Sequence, residues 1–292
     1  MKLLVIGDFQ GNFTSRLVKK IKKEEFDAIV GVGDYGGISN WRPWVMQNLR
    51  SSKAGKPYLT AEEYFGKKKL KKLIMKDDFA AKNVLRRLTR FGKPVISVFG
   101  NGDDGWYHYK YSKGLPPSLK EKRRFLRRLK AFKDITYGQA MFGGKSFIGF
   151  GGYMDIDAYF DKKTFKDAED AEKCKMRIER REKSKSDLFK RLRKIGKNKE
   201  PIFVLHYPPQ GAFDIIRDKK DNPMNGKSAG IRFFTDAIKK YKPLLVLCGH
   251  MHEYQGAKKI GRTVIVNPGD AEKEKAAIVE VEEKNVRVKL ID

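Results

Sequence analysis

Leu244-Leu245-Val246-Leu247-Cys248-Gly249-His250-Met251-His252 decides the reading of this chain. Five consecutive apolar residues read as a strand buried on both faces, and Gly249 frees the backbone to deliver two imidazoles at the strand's end. Histidines spaced i, i+2 at a strand exit can be aimed at one point. The chain has four histidines, and two of them are here. Alone, the pair is equally a hydrogen-bonded core feature, because imidazoles satisfy buried polar groups as readily as they bind metals. What stands at the ends of the other apolar runs decides between the two.

Outward from this stretch the same pattern repeats. Upstream, a helix over 231–241 leads into it, and before that Ile202-Phe203-Val204-Leu205 is a strand ending in His206 and stopped by Pro208-Pro209. Residues 211–230 hold Gly, Asp, Asn and Pro without a period and read as a loop. At the amino end, Leu3-Leu4-Val5-Ile6-Gly7 ends in Asp8-Phe9-Gln10, a helix with Leu17, Val18 and Ile21 on its inner face follows, and Ala28-Ile29-Val30-Gly31-Val32-Gly33 ends in Asp34. Strand, helix, strand in so short a span is a parallel βαβ unit. Val95-Ile96-Ser97-Val98-Phe99 then ends in Gly100-Asn101-Gly102-Asp103. Carboxylates, amides and imidazoles thus collect at the carboxyl ends of strands, where open α/β sheets bind ligands. Ala140-Met141-Phe142 and 146–150 around a glycine turn read as a hairpin opening a second sheet. Downstream, 263–266 ends in Asn267-Pro268-Gly269-Asp270, and 276–281 and 286–290 alternate as antiparallel edge strands.

The charge map separates a framework from its additions. The net charge of +28 is extreme. Residues 38–93 carry +11, 110–133 carry +9 and 161–200 carry +7, so everything else is nearly neutral. The apolar strands lie in the neutral part. The chain therefore reads as one domain over 1–292 with three basic insertions. The first holds Trp41, Trp44, Tyr58 and Tyr64, a lysine cluster at Lys67, Lys68, Lys69, Lys71 and Lys72, and a helical 79–88. The second, helical over 120–133, turns Phe125, Leu126 and Leu129 inward and Arg123, Arg124, Arg127 and Arg128 outward. The third, over 162–197, alternates both signs of charge and reads as an exposed helical arm. Such a basic balance points to polyanions, and bases could stack on the aromatic residues nearby.

Composition excludes other classes. The first apolar run is too short for a signal peptide, and no segment approaches the roughly 18 apolar residues of a membrane span, so a cytoplasmic protein without a membrane role is expected. Two cysteines, Cys174 and Cys248, make neither a disulfide framework nor a zinc spacing.

In order and spacing, Asp8-Phe9-Gln10, Gly33-Asp34, Gly100-Asn101-Gly102-Asp103, His206 and Gly249-His250-Met251-His252 resemble the calcineurin-like metallophosphoesterase superfamily, whose pattern is D-x-H, G-D, G-N-H-D/E, H and G-H-x-H. Asn267-Pro268-Gly269 looks like a segment of its small prokaryotic phosphodiesterase branch. The resemblance implies a four-layer α-β-β-α sandwich of two mixed sheets. It also implies two divalent transition-metal ions, manganese first with Fe, Co, Ni or Zn as alternatives, since oxygen and imidazole donors without thiolate suit these ions. Asp34 would bridge them, with Asp8, Gln10 and His252 on one ion and Asn101, His206 and His250 on the other. Two such ions about 3.5–4 Å apart clamp a phosphoryl group and activate a bridging hydroxide. Asp34, Asn101 and His250 are then the expected catalytic residues.

This chain departs from the pattern in three places. Gln10 stands where histidine is usual, and a weaker amide donor predicts one loose metal site. Gly102 stands where many members place a histidine that protonates the leaving group, a loss worth about 10²–10⁴-fold for poor leaving groups. The phosphodiesterase branch lacks that histidine too. His108, in a loop among aromatic residues, is the candidate replacement. Gly37 replaces the second aspartate of G-D-x-x-D. The expected activity is a binuclear-metal phosphodiesterase acting on a phosphate ester, with nucleic acid a candidate partner of the insertions. The alternative is a catalytically poor module of the same fold that binds nucleic acid or protein.

Overall fold

The computed structural model describes residues 1–37, 39–54, 56, 59–103, 118–154, 168–195, 201–218, 220–283 and 285–292. Strand β1 (Lys2–Ile6) pairs in parallel with β2 (Ala28–Gly31), β2 with β3 (Val95–Ser97), and β3 with β4 (Phe132–Asp134). On its other edge β1 meets β11 (Ala276–Val281) antiparallel, and β11 meets β12 (Val286–Ile291). The second sheet runs β5 (Gln139–Phe142), β6 (Lys145–Phe150), β7 (Ile202–Leu205), β8 (Leu245–Leu247), β10 (Thr263–Asn267), β9 (Gly256–Ile260), parallel from β6 to β10 with an antiparallel strand at each edge. Both six-stranded sheets are mixed, as the sequence predicts.

Each central strand is apolar on both faces because both are covered. Leu3, Val5, Val30 and Val98 meet Phe147, Val204, Leu245 and Leu247 between the sheets. The alternate residues face outward. Leu4, Ile6 and Ile29 pack under Leu17 and Ile21 of α1 (Ser15–Ile21) and under Ala81, Val84, Leu85 and Leu88 of α4 (Lys67–Thr89). Ile148, Phe203 and Val246 pack under Phe234 and Ile238 of α7 (Arg232–Tyr241) and under Leu188 and Leu192 of α6 (Ala168–Ile195). The result is helix, sheet, sheet, helix. Between β2 and α4 lie α2 (Arg42–Lys53) and α3 (Ala61–Phe65), and α5 (Leu119–Arg128) precedes β4. Capping boxes start α3 at Thr60 and Glu63 and α5 at Ser118 and Glu121, as such spacings should.

The structure differs from the sequence reading where charge hides packing. Helix α4 lies inside the first basic segment, yet half of it is a core layer. Helix α6 is no free arm, since Leu188 and Leu192 are fully buried at its end. The run 120–133 breaks at Leu129, and Phe132–Asp134 adds β4, too short to show a period. Strand β11 is interior, between β1 and β12, so β12 alone of that pair is an edge. Trp41, Trp44, Tyr64 and Phe65 pack edge to face among themselves, with ring centroids 4.8–6.2 Å apart, and Trp44 Nε1 donates to the Leu59 carbonyl at 2.8 Å. These rings brace α2 against α3. Tyr58, His108 and the aromatic residues beside it lie outside the described residues.

Candidate metal centre

Local backbone geometry singles out the site before any side chain is considered. Asp8, Gln10, Asp34 and His250 all have positive φ, at 54°, 48°, 56° and 69°. A non-glycine residue in that region costs of order 1–3 kcal/mol and persists only where its surroundings impose it. Interlocked loops impose it here. The amides of Asp8, Phe9 and Gly11 donate to the carbonyls of Gly33, Asp34 and Tyr35 at 2.9, 2.9 and 3.1 Å, so the exits of β1 and β2 form one unit.

Two glycines let the remaining loops approach the carboxylates. A Cβ on Gly100 would lie 2.1 Å from Asp34 Oδ1, and one on Gly249 would lie 2.5 Å from Asp8 Oδ2. This is the physical content of the Gly-Asn and Gly-His motifs. With the way open, the His250 amide donates to both Asp8 oxygens at 3.1 Å, and the Gly102 amide donates to Asp34 Oδ1 at 2.7 Å. Both aspartates are buried, at 1% and 3% exposure. Burial, with the charge of Asp8 added, holds the Asp34 carboxyl above its ordinary range despite His206 and His252 nearby.

The imidazoles and amides surround this pair. His206 is fully buried, and its Nδ1–H donates to the Val32 carbonyl oxygen at 2.8 Å, which turns Nε2 toward the cluster. Its Nε2 lies 2.8 Å from Asn101 Oδ1 and 3.5 Å from Asp34 Oδ1. His250 Nδ1 is also 2.8 Å from Asn101 Oδ1, and Tyr207 covers the His250 ring at a centroid distance of 4.0 Å. Burial, then the charges of His206 and His252, keep His250 well below its ordinary pKa and therefore neutral. His252 Nε2 lies 3.3 Å from Asp8 Oδ1. Burial lowers its pKa, but the hydrogen bond to Asp8 and the charges of Asp8, Asp270 and Asp34 outweigh this and carry it up to about 10. Gln10 turns into the cluster, with Nε2 donating to Asp34 Oδ2 at 3.4 Å and 3.5 Å from His252 Nε2.

All seven expected ligands, Asp8, Gln10, Asp34, Asn101, His206, His250 and His252, thus meet at one place. Atoms of Asp8, Asp34 and His206 come within 4.8 Å of one another. The donor set fits divalent cations. Two buried carboxylates, an amide oxygen and imidazole nitrogens converge, the mixed oxygen and nitrogen donors without thiolate that divalent transition metals take. The Gln10 amide nitrogen, rather than its oxygen, faces Asp34.

Three residues with no assigned role in the sequence reading complete the arrangement. Asp270 places Oδ2 3.9 Å from His252 Nδ1 while its other oxygen accepts the Glu272 amide, so a carboxylate stands behind the His252 imidazole. Its position after a strand and Asn267-Pro268-Gly269 was the available signal. Asp103 accepts the amides of Tyr35, Gly36 and Gly100 at 2.9–3.0 Å, pinning both loops; burial and the charge of Asp34 raise its pKa well above the usual carboxylate range. Asp77 of α4 accepts the Gly37 amide at 2.8 Å, and nothing in its lysine-rich surroundings announces that role.

Residues 123–291 match the family model described as metallophosphoesterase, calcineurin superfamily. The chain belongs to that superfamily. The match takes in His206, His250 and His252, and the geometry joins Asp8, Gln10, Asp34 and Asn101 to them. Members of this metallophosphoesterase family are divalent-metal phosphoesterases. The metallophosphoesterase chain is also 33% identical over 91 residues to an uncharacterised protein of Methanocaldococcus jannaschii, a match spanning 30% of this chain and 39% of that relative. Its fold is that of a crystal structure aligned over 100% of this chain and 99% of the other, with a TM-score of 0.63 at 18% identity. The protein TT1561 of Thermus thermophilus aligns over 99% and 97% with a TM-score of 0.51 at 16% identity.

Proposed function

We propose that this metallophosphoesterase is a phosphodiesterase working with two divalent cations, manganese first, that share Asp34. The observation that supports the reading is the placement of Asp34 between two ligand groups. Its Oδ1 side faces His206 and its Oδ2 side faces Gln10, with Asp8 and His252 beyond. When bound, the cations supply Lewis acidity toward the phosphoryl oxygens and acidify a water. The chain's own residues do the rest. Asp8, Gln10 and His252 would hold one ion and Asn101, His206 and His250 the other, while Asp270 and Asp103 keep imidazole and loop in register.

The missing proton donor argues for esters with good leaving groups. A Cβ at Gly102 would lie 3.0 Å from Gly37 Cα and 3.1 Å from Asp34 Oδ1, so the loops close on each other where a histidine side chain would begin. Gly37 and Gly102 are therefore one coupled departure. His108 is the candidate acid, and His108→Ala should steepen the dependence of rate on leaving-group pKa. The net charge of +28 favours a polyanionic ester. Turnover of bis-p-nitrophenyl phosphate against the mono-ester, with Mn, Fe, Co, Ni and Zn added singly, tests the proposal. Faster diester hydrolysis with at least one metal is expected. No turnover with any of them would overturn it in favour of a binding module.

A further inference from the structure

Away from the metal centre, α4 and α5 form a seam whose inner and outer parts are built differently. Inside, Asp78 of α4 is 7% exposed and Lys122 of α5 is 4% exposed; their charged atoms are 3.9 Å apart, and Lys82 caps the second Asp78 oxygen at 2.5 Å. Outside, a groove of about 280 Å³ is lined by Lys82, Arg86, Glu121, Arg124, Phe125 and Arg128. Lys82 is held on Asp78. Glu121 is turned to the start of its own helix, accepting the Ser118 amide and hydroxyl at 2.6 and 2.8 Å. Arg86, Arg124 and Arg128 remain as exposed cations on the two walls.

The aromatic residue gives the groove more than charge. The Arg86 guanidinium lies over the Phe125 ring, 5.0 Å from its centroid, with Lys82 Nζ at 5.9 Å. A guanidinium backed by a ring is held flat, and its outer plane is a platform for a nucleobase. Duplexes hide their base faces, whereas single strands offer them. Helix α4 also joins this groove to the metal loop. Asp77, which accepts the Gly37 amide, lies nine residues before Arg86, a rise of about 14 Å.

We propose that the α4–α5 groove is a docking site for single-stranded nucleic acid, with Arg86, Arg124 and Arg128 on its phosphates and the Arg86–Phe125 stack under a base. The inference takes its substrate class from the polyanion reading above but does not require turnover. It also divides the arginine cluster of the second basic segment: Arg124 and Arg128 line the groove, and Arg123 and Arg127 do not.

The test is fluorescence anisotropy of a short labelled oligouridylate with metal-free protein, between about 50 and 200 mM salt. Arg86→Gln/Arg124→Gln/Arg128→Gln is compared with Lys19→Gln/Lys22→Gln/Lys23→Gln, which removes equal charge from exposed positions on and just beyond α1. Each lost phosphate contact on a single strand flattens the log–log salt slope by about 0.7, so the groove triple should flatten it by about 2 and weaken binding roughly 10²-fold near 0.1 M salt. The α1 triple should weaken it less than about 3-fold. Phe125→Leu should weaken binding with the slope kept. Equal effects of the two triples, or a duplex of the same length binding as tightly, would overturn the proposal. Hydrolysis of bis-p-nitrophenyl phosphate without oligonucleotide binding would overturn this inference and leave the phosphodiesterase standing. Groove-dependent binding without hydrolysis would do the reverse.

Discussion

At the strand ends Asp8 and Asp34 are buried among imidazoles and amides, and the backbone bends into positive φ at four positions to bring them there. On the α4–α5 seam the order is inverted: regular helices carry Arg86, Arg124 and Arg128 into water, and the charges taken inside, Asp78 and Lys122, face each other. Uncompensated buried carboxylates cost several kcal/mol, so the strand ends accept strain and like-charge repulsion for a task that needs both. Exposed cations cost little and are screened by salt, which suits reversible contact with a polyanion. One helix serves both regions. The acidic residues of α4, Asp77 and Asp78, point to the metal loop and the seam interior, while its Arg86 serves the groove.

The comparison is most open to attack at Asp34. Asp34→Asn keeps the size but removes the shared charge, and turnover of the bis-ester should fall on the order of 10²–10³-fold, several kcal/mol at about 1.4 per tenfold, with bound metal per chain reduced. Unchanged turnover would mean that the chemistry lies elsewhere. Next in size is the buried pair of the seam. Lys122→Met leaves Asp78 with Lys82 alone and should destabilise the fold by about 3 kcal/mol, whereas adding Asp78→Leu should recover most of that loss in a denaturant titration. If the single and double variants unfold alike, the pair is not coupled and the seam interior does not resemble the strand ends.

Asp270→Asn retains the acceptor for the Glu272 amide but removes the charge beside His252. Metal affinity should drop about 10–100-fold with the melting temperature of the metal-free protein nearly unchanged. Equal loss of stability and affinity would make Asp270 a structural cap only. The smallest effect belongs to Gln10→His, which should tighten one metal site by about 10-fold and leave the other as it was. Calorimetric titration showing two unchanged affinities would remove Gln10 from the ligand set.

The sandwich and the meeting of the ligand positions were legible because buried parallel strands are uninterrupted apolar runs, and the runs here end in Asp, Asn or His, most of them after a glycine. The pattern is local on both counts. Strand β4 is three residues long and follows directly on a helix in the chain, and β9 pairs through Ala257, Lys258 and Lys259, which carry no apolar alternation. The helical period over 79–88 was legible, but the place of Ala81, Val84, Leu85 and Leu88 in the core was not, because the basic charge around them set the segment apart from the neutral framework. Asp77 could not be recognised at all. Its role depends on which loop the helix crosses, a tertiary fact with no sequence trace.

The bond from the His250 amide to Asp8 joins residues 242 positions apart, and β1 itself is zipped between β2 and β11. Contacts of that span are slow to form, because the loop-closure entropy is spent before the contact repays it. On a ribosome, Asp8 and Asp34 emerge first and wait for nearly the whole chain before His250 and His252 arrive. The cluster is thus an assembly checkpoint: its seven side chains come together only in molecules whose two sheets have both closed.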